Sequence, residues 1–224
     1  MRKLRFAEHE FYHIYNRGVD KRTIFYDKED HDRFRAYLYV LNDVENLRVS
    51  NFLNRNKIQT VFEQARGEPL VAIGAYCLMP NHFHVLLSPL AEDGVSKFMQ
   101  RLQTGYAMFF NEKRKRSGSL FEGPFKAKHV NTDEYLKYMF AYIHLNPAAL
   151  FNVHWNDETK EGIANYFSKV EQYEYSSIQE YLSKKTIITD PKPFPRYFNT
   201  AKDIRSHLEF WHRYKNNYAE NPDA

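Results

Sequence analysis

Four short runs rich in β-branched and aromatic residues predict β-strands in the first 150 residues of the chain. The third and fourth of these runs lie on either side of a charged helical segment, whereas the second and third are separated only by Pro80 and Asn81. So short a connection predicts an antiparallel hairpin. The predicted strands cover residues 11–16, with a brief extended continuation at 24–26, and residues 71–79, 82–87 and 125–130.

Amphipathic segments separate these strands and predict three helices. In the first helix, Phe34, Leu38 and Leu41 recur at helical spacing. The order β, α, β-hairpin, α, β, α predicts an α+β fold in which helices pack against an antiparallel sheet. The first helix is predicted to be capped by Asp27 or Asp30, the second to cover residues 96–113, and the third to run from a cap at Thr132 or Asp133 to Asn146, before Pro147.

The pattern changes after residue 150. Residues 155–190 contain seven acidic residues and four tyrosines and show only weak periodicity. A final amphipathic helix is predicted from about residue 203 to residue 214. We therefore predict a domain of residues 1–150 and a mainly helical C-terminal extension of residues 151–224 that packs on it.

Composition narrows the class of protein. With 224 residues, 43% hydrophobic and 27% charged, the chain is long enough to bury a core and is unlike a disordered protein. The single cysteine, Cys77, excludes a disulfide framework and a CxxC zinc site. No apolar run approaches the roughly 20 residues of a membrane span, and the first residues do not resemble a signal peptide. A cytoplasmic location is expected.

Charge and aromatic content point to a nucleic-acid partner. The net charge is only +4, but six basic residues accompany one acid, Glu122, between residues 113 and 128, close to several phenylalanines. Cations contact phosphates and aromatic rings stack on bases, so the segment predicts binding of a single-stranded nucleic acid. The alternative is a solvated charge run at a helix end, with the phenylalanines in the core. The basic residues are Lys113, Arg114, Lys115, Arg116, Lys126 and Lys128.

His82 and His84 are the first candidates for chemistry. Residues i and i+2 of a strand point to the same face, so both imidazoles project together while Phe83 and Val85 face the other way. Paired imidazoles can hold a divalent metal, and without a cysteine companion the site would be open and catalytic rather than a structural zinc site. The alternative is two ordinary histidines on a half-buried strand.

Tyr142 and Asn146 offer the oxygen atoms that the histidines lack. They stand at i and i+4 on the third helix, at the edge of its apolar stripe. Asn146 can give a carbonyl oxygen to a metal while Tyr142 presents its hydroxyl to a substrate, and two histidines with oxygen ligands suit Mg²⁺ or Mn²⁺. Alternatively, Asn146 is a helix C-cap and Tyr142 a packing residue. Because Tyr135 and Tyr138 share much of the same face, helix geometry alone does not select the nucleophile.

Four ordered motifs resemble a known family, the single-tyrosine HUH transposases, and in particular the branch associated with repetitive extragenic palindromes (REP). The resemblance covers about residues 8–150. One departure is Pro124, where related proteins are expected to carry a basic residue, and this puts a DNA-backbone contact there in doubt. The motifs are YHIYNRG at residues 12–18, PNHFHVLL at 80–87, GSLFEGPFK at 118–126 and YIHLNP at 142–147.

The resemblance implies a ferredoxin-like α+β fold and a DNA strand transferase. On the matching positions of this sequence, it implies that His82 and His84 hold the metal, that Asn146 completes the metal site, and that Tyr142 is the nucleophile. Attack by Tyr142 on phosphorus would give a 5′-phosphotyrosyl enzyme and a free 3′-hydroxyl. The implied substrate is single-stranded DNA beside a hairpin. The sequence leaves open whether the protein acts as a monomer or as a homodimer.

Several assignments around this site are predictions from residue type. His13 and His144 are candidates for the base that removes the tyrosine proton. The region from Arg101 to Lys128 is expected to contact the DNA backbone, with Phe121 as a stacking platform and Phe125 in the core.

Two other functions stay open. One is a non-catalytic DNA- or RNA-binding protein derived from such a transposase, against which the intact Tyr142 and metal ligands argue. The other is a zinc-dependent hydrolase using His82 and His84, although the chain has no HExxH motif to supply a base.

Overall fold

The structure is a computed structural model that describes residues 4–45, 58–65, 67–151 and 159–214. Short 3₁₀ turns cover Val19–Lys21, Ile58–Glu63 and Asn146–Leu150. The strands are β1 (Phe11–Arg17), β2 (Val71–Met79), β3 (His82–Pro89) and β4 (Lys126–Val130), and the helices are α1 (Lys28–Val40), α2 (Gly94–Lys113), α3 (Asp133–Leu145), α4 (Lys160–Glu171), α5 (Ile178–Ser183) and α6 (Ala201–Tyr214).

The four strands form one antiparallel sheet in the order β2-β3-β1-β4. Helix α1 connects β1 to β2 with β3 lying between them, and α2 connects β3 to β4 with β1 lying between them. This pair of split βαβ units is the ferredoxin-like arrangement. The predicted α+β fold, the β2-β3 hairpin and the antiparallel sheet are confirmed.

The two faces of the sheet are covered by different helices. On one face, Phe83 of β3 packs against Phe34 of α1, with ring centroids 5.0 Å apart, and Phe34 packs in turn on Tyr106 of α2. On the opposite face, Leu86 of β3 lies in a core cluster with Met139 of α3. Helix α3 therefore lies over the face toward which the even-numbered residues of β3 point.

Capping side chains start the helices close to the predicted positions. The carboxylate of Asp27 accepts a hydrogen bond from Asp30 N, and the Thr132 hydroxyl accepts one from Tyr135 N. Helix α3 ends at Leu145, one residue before the predicted end. The chain then continues as a 3₁₀ turn, because Pro147 occupies one of its first positions, where its missing N–H is not needed.

One expectation about secondary structure was wrong. Residues 24–26 form a loop rather than a strand segment, since the N–H groups of Ile24 and Phe25 both donate to Pro80 O instead of joining a ladder. The C-terminal extension is mainly helical, as predicted, and contains α4 and α5 in its weakly periodic part and α6 near its end. Residues 152–158, including Trp155, lie outside the described residues.

Residues 159–214 pack against the sheet and α3. The ring of Phe194 lies over Gly74 of β2 and contacts Phe11, with ring centroids 4.9 Å apart. Trp211 of α6 contacts Tyr138 of α3. The division into a domain of residues 1–150 and a separate extension stays a prediction. None of the helices in the described ranges has the length and apolar character needed to cross a membrane.

Candidate active site

Two histidines of β3 project from the sheet face that α3 covers. The ring centroids of His82 and His84 are 4.8 Å apart, and the ring planes are inclined at 85°. Phe83 and Val85 belong to the apolar core on the other face, as the strand alternation predicts. Both candidate metal ligands therefore lie on one surface.

The neighbouring strand β1 adds three side chains to this surface. Tyr15 pairs with His84 across the two strands, and Arg17 pairs with His82. His13 stands two residues before Tyr15 and so points to the same face. Tyr15 and Arg17 were not among the predicted site residues. Tyr15 stands two residues after His13 in the strand predicted over residues 11–16, and this spacing indicates that it shares the face of His13, whereas Arg17 lies one residue beyond that predicted strand.

Both histidines of β3 are oriented by hydrogen bonds to Nδ1. The distance from Nδ1 of His82 to Oδ1 of Asn81 is 2.6 Å, and the distance from Nδ1 of His84 to Nε2 of His13 is 3.0 Å. A histidine that binds a metal commonly uses its second ring nitrogen for such a bond, which fixes the ring and its tautomer. Nε2 is then the nitrogen of His82 and His84 that would coordinate a metal.

Burial keeps the inner histidines of this surface uncharged. Burial, helped by the nearby charge of Lys128, lowers the pKa of His13 to about 3. Burial, together with His13 and His82, lowers the pKa of His84 well below its ordinary value. Neutral imidazole is the form that binds metal ions.

Tyr142 of α3 lies over these histidines. Its ring centroid is 5.5 Å from that of His84 and 5.9 Å from that of His13, and both contacts are edge-to-face. The tyrosine side chain is half-buried, so it borders both the sheet and the surface. The structure therefore brings together Tyr142, His82 and His84, as the motif resemblance implies.

The other two tyrosines of this face of α3 have different surroundings from Tyr142. Tyr138 packs between Tyr142, at a centroid distance of 6.0 Å, and Trp211 of α6. Tyr135 stacks on Tyr138, one turn further from the histidines. Among the ring contacts of these three tyrosines, those to His84 and His13 involve Tyr142, which the helix periodicity alone could not decide.

Asn146 follows α3 one turn after Tyr142 and is half-buried. The described residues contain no group of three or more His, Cys, Asp or Glu side chains placed to hold a metal ion. An amide oxygen is another type of group that can bind a divalent metal beside two histidines. Two imidazoles and an amide oxygen would suit an open divalent metal site, and the motif resemblance implies that Asn146 is the third ligand.

Two cations predicted to bind DNA are engaged within the protein. Lys113 contacts the carboxylates of Asp27, Glu29 and Asp30 at 2.7–3.0 Å. Arg114 makes two parallel hydrogen bonds to the fully buried Asp30 carboxylate, at 3.1 and 2.6 Å. No local sequence pattern indicates these pairs, because the acids lie more than 80 residues earlier.

Two further arginines of this set support local structure. Arg101 donates to the backbone carbonyl of Asp43 at 2.5 Å. Arg116 donates to the Asn111 side chain and to the carbonyl of Ser119, which closes the turn after α2. Their predicted DNA contacts stay predictions, and any such contact would have to use donor atoms beyond these bonds.

The remaining basic residues of the predicted set are Lys115, Lys126 and Lys128. Lys115 is exposed in the turn after α2. Lys126 is exposed on β4, with its Nζ 5.7 Å from the centre of the Tyr15 ring, and Lys128 lies opposite His13. The two lysines of β4 thus border the surface that carries the histidines and Tyr142.

Two aromatic predictions have different outcomes. Phe125 is buried in the core, as expected. Phe121 is only 5% exposed and packs on Phe83 and Tyr106, so its ring has no open face on which a base can stack. The predicted stacking platform is therefore corrected to a core position.

His144 is fully buried, and its Nε2 lies 2.8 Å from the Ser177 hydroxyl. It stands two residues from Tyr142, nearly on the opposite side of α3. The candidate base role of His144 is corrected, because the ring faces the C-terminal segment and not the histidine surface.

One family model matches the sequence of this chain. The profile of the family described as "Transposase IS200 like" matches residues 10–146, which is more than half of the chain. A solved structure, described as a REP-associated tyrosine transposase bound to a REP hairpin, is similar with 8% sequence identity and a TM-score of 0.49, over 84% of this chain and 87% of that chain. None of the curated proteins matches this chain in sequence.

Proposed function

The chain belongs to the family of IS200-like transposases, and from this premise we propose that it cleaves and rejoins single-stranded DNA with Tyr142 as its nucleophile. Membership of the family agrees with the motif resemblance to single-tyrosine transposases. Assignment to the REP-associated branch is part of the proposal and rests on the motifs.

The observation that carries the proposal is the position of Tyr142 over His84 and His13. A nucleophile must stand beside the groups that bind the reacting phosphate, because orientation supplies a large share of the rate enhancement. The nucleophile comes from α3 and the imidazoles from β3, and the packing of this helix on this sheet face brings them together.

The proposed step is an in-line displacement at phosphorus. A bond forms between the Tyr142 phenol oxygen and phosphorus, and the bond from phosphorus to the 3′ oxygen breaks. The phenol proton passes to water, and the departing 3′ oxygen takes a proton from water, which leaves a free 3′-hydroxyl and a 5′-phosphotyrosine. Attack by a 3′-hydroxyl on this ester reverses the step, releases the tyrosine and rejoins DNA.

The residues fit a divalent metal, Mg²⁺ or Mn²⁺, held by His82, His84 and Asn146. When bound, such an ion polarises a phosphodiester and neutralises charge that develops on its oxygens. Asn81 and His13 would act through the ligands, by holding the two imidazole rings in the orientation that presents Nε2.

Backbone contacts to the DNA are assigned to three lysines, two of which border the site. Lys126 and Lys128 lie on the strand beside His13 and Tyr15, and Lys115 is exposed after α2. Such cations bind phosphates regardless of base sequence. A hairpin next to the cleaved strand is part of the same proposal and rests on the motif resemblance.

The test is formation of a covalent adduct. Wild-type protein and Tyr142→Phe are incubated with labelled, hairpin-bearing single-stranded DNA from sequence flanking the gene, with Mg²⁺, Mn²⁺ or EDTA, and denatured before electrophoresis. Tyr138→Phe is the matched control, since it removes a hydroxyl one turn away on the same helix. We expect a metal-dependent adduct in the wild type and the control, and none in Tyr142→Phe.

The outcomes separate the other functions. DNA binding with no adduct on several flanking sequences would favour a non-catalytic DNA- or RNA-binding protein. Hydrolysis that needs Zn²⁺ and survives Tyr142→Phe would favour a zinc-dependent hydrolase that uses His82 and His84. An adduct that persists in Tyr142→Phe would overturn the assignment of the nucleophile.

A further inference from the structure

His144 lies in the last turn of α3, between Tyr142 and Asn146, the two residues of this region to which the proposal gives chemical roles. Tyr142 precedes it by two positions and Asn146 follows it by two. At about 100° per residue, both lie on the side of the helix nearly opposite His144. The imidazole of His144 is completely buried, and its Nε2 lies 2.8 Å from the Ser177 hydroxyl. The His144–Ser177 hydrogen bond therefore holds the last turn of α3 on the side opposite Tyr142 and Asn146.

Ser177 is itself fixed to the sheet. Its hydroxyl accepts a hydrogen bond from Tyr76 N at 2.9 Å and lies 3.3 Å from Tyr76 O, to which Ser177 N also donates at 3.0 Å. Ser177 is fully buried. The hydroxyl therefore stands in a defined position relative to the backbone of β2, 33 residues after His144 in the sequence.

The segment around Ser177 extends the sheet beyond its edge strand. Leu78 N donates to Tyr175 O at 2.9 Å, the Tyr173 hydroxyl donates to Leu78 O at 2.5 Å, and Cys77 forms a β-bridge with Ser176. On its other side, Cys77 pairs with His84 of β3. The hydrogen bonds thus run without a break from His84 through β2 and residues 173–177 to His144.

Apolar packing alone does not set the rotation of α3 as narrowly as this bond does. Hydrophobic burial is non-directional, whereas a hydrogen bond weakens steeply with angle and distance. Met139, Phe140 and Ile143 of α3 are buried in one apolar cluster with residues of β2 and β3, and these contacts have no directional preference. A rotation would move the Tyr142 hydroxyl and the Asn146 amide relative to His82 and His84.

We infer that the buried His144–Ser177 hydrogen bond positions Tyr142 and Asn146 against the histidines of β3, so that the segment after residue 159 takes part in building the active site. His144 and Ser177 are positioning residues, since neither is exposed to a substrate. The inference rests on the proposed function for its effect on rate, and on the fold alone for its effect on the position of α3.

The test compares four variants in the full chain. Ser177→Ala and His144→Leu remove the bond, while His144→Gln keeps a side-chain N–H close to the position of Nε2. Ser176→Ala is the matched control, because the hydroxyl of Ser176 is equally buried but makes only long bonds, of 3.4 Å, within its own segment.

Two readouts are taken. The first is the single-turnover rate of adduct formation at saturating DNA, alongside the Kd for the same DNA. Loss of positioning is expected to slow adduct formation about 10- to 100-fold in Ser177→Ala and His144→Leu and to leave their Kd for DNA unchanged. The rate is expected to be partly restored in His144→Gln. Ser176→Ala is expected to form the adduct at the wild-type rate. The second readout is amide hydrogen exchange of residues 142–146, which is expected to rise in Ser177→Ala and not in Ser176→Ala.

The outcomes keep this inference apart from the proposed function. If the wild type forms no adduct, the proposed function fails, and hydrogen exchange decides the positioning inference by itself. Equal exchange and equal adduct rates in Ser177→Ala and Ser176→Ala would overturn it. A rate loss in Ser177→Ala matched by an equal loss of DNA affinity would also overturn it, since that pattern indicates general damage to the fold.

Discussion

Nε2 of His13 lies 3.0 Å from Nδ1 of His84, and this contact joins the two central strands inside the candidate site. If Nε2 of His84 binds a metal, Nδ1 of His84 carries the proton and donates a hydrogen bond to Nε2 of His13. We therefore expect His13→Leu to weaken Mn²⁺ binding about 10- to 100-fold. Isothermal titration of Mn²⁺ into both proteins measures the change.

His13→Gln is the companion variant, because the amide oxygen of glutamine can accept the hydrogen bond from Nδ1–H of His84. It is expected to bind Mn²⁺ more tightly than His13→Leu. Equal Mn²⁺ affinity in the wild type and His13→Leu would show that His13 does not support a ligand, and would leave it as a core histidine.

Asp30 is fully buried and is surrounded by cations from the end of α2. It accepts two hydrogen bonds from Arg114 and one from Lys113, and also one from Tyr26 N. Removal of one partner from a buried ion pair costs about 3–5 kcal/mol. Asp30→Asn is expected to lower the free energy of unfolding by about 3 kcal/mol, as measured by urea denaturation.

Asp32→Asn is the control for this charge removal, since the Asp32 carboxylate is less buried than that of Asp30 and pairs with Lys28 and, at 3.8 Å, with Arg35. It should cost well under 1 kcal/mol, as exposed ion pairs do. Similar losses in the two variants would contradict the assignment of Asp30 as the anchor of the α1–α2 contact.

The basic residues between positions 113 and 128 show which features could be predicted from the sequence and which could not. Short-range patterns located α2 and the charge cluster at its end correctly, since periodicity is a local property. They could not show that Lys113 and Arg114 meet Asp27 and Asp30, because that contact exists only once the split βαβ topology places α1 beside α2. The sequence therefore treated all six cations as equivalent.

The same limit applies around the site. His82 and His84 were found because two-residue spacing in a strand fixes their common face. Tyr142 was singled out by its motif, whereas its preference over Tyr138 depends on how α3 lies on the sheet. The bond from His144 to Ser177 joins segments whose pairing no local pattern encodes, and it was missed.

The cations are expected to divide into two groups by their effect on DNA binding. Lys115→Ala combined with Lys126→Ala should weaken binding of single-stranded DNA and reduce the slope of log K against log salt by about 0.7 for each phosphate that the variant no longer neutralises. Lys113→Ala should change this slope little, because its charge is already neutralised by acids of α1. Fluorescence anisotropy at several salt concentrations measures both.

Circular dichroism melting of the same variants provides the control. Lys113→Ala is expected to lower the Tm, and the double variant is expected to keep the wild-type Tm. A Lys113→Ala protein with normal stability and a reduced salt slope would reverse the division, and would return Lys113 to the DNA-binding set.

His31 makes stability depend on pH. Its ring stacks on Tyr175 with centroids 3.6 Å apart, and burial lowers its pKa, against the opposing effect of Asp27, Asp30 and Asp32. Because the unfolded chain binds a proton near pH 6.5 and the folded chain at a lower pH, stability is complete above pH 6.5 and falls as the pH decreases below it. The loss for one histidine is at most about 1.4 kcal/mol per pH unit.

His31→Phe keeps a ring in the stack and removes the titration. The free energy of unfolding of this variant, measured in urea at pH 7 and pH 5, is expected to fall less between the two values than that of the wild type. His9→Phe is the control for replacing an exposed histidine with phenylalanine, measured at the same two pH values. An unchanged difference in His31→Phe would show that His31 takes up its proton equally in both states.

Substitution of Gly74 tests whether Phe194 of the C-terminal segment packs on β2. A Cβ atom at this position would lie 2.6 Å from the Phe194 ring, well inside van der Waals contact. Gly74→Ala is therefore expected to lower the free energy of unfolding by about 1–3 kcal/mol, as measured in urea. Gly105 lies in α2, and a Cβ added there would meet its nearest neighbours, Leu41 and Tyr37, at 3.6 Å, so Gly105→Ala is instead expected to stabilise by about 0.5–1 kcal/mol.

A double-mutant cycle with Phe194→Leu identifies the source of the Gly74→Ala loss. Leucine is smaller than phenylalanine and leaves room for the new methyl group, so the double variant should lose less stability than the sum of the single variants. Additive losses would mean that Phe194 does not cover Gly74, and that residues 191–199 are not seated on the sheet beside α3. Because the same segment continues from the one that carries Ser177, such a result would also remove the structural support for positioning α3 from that side.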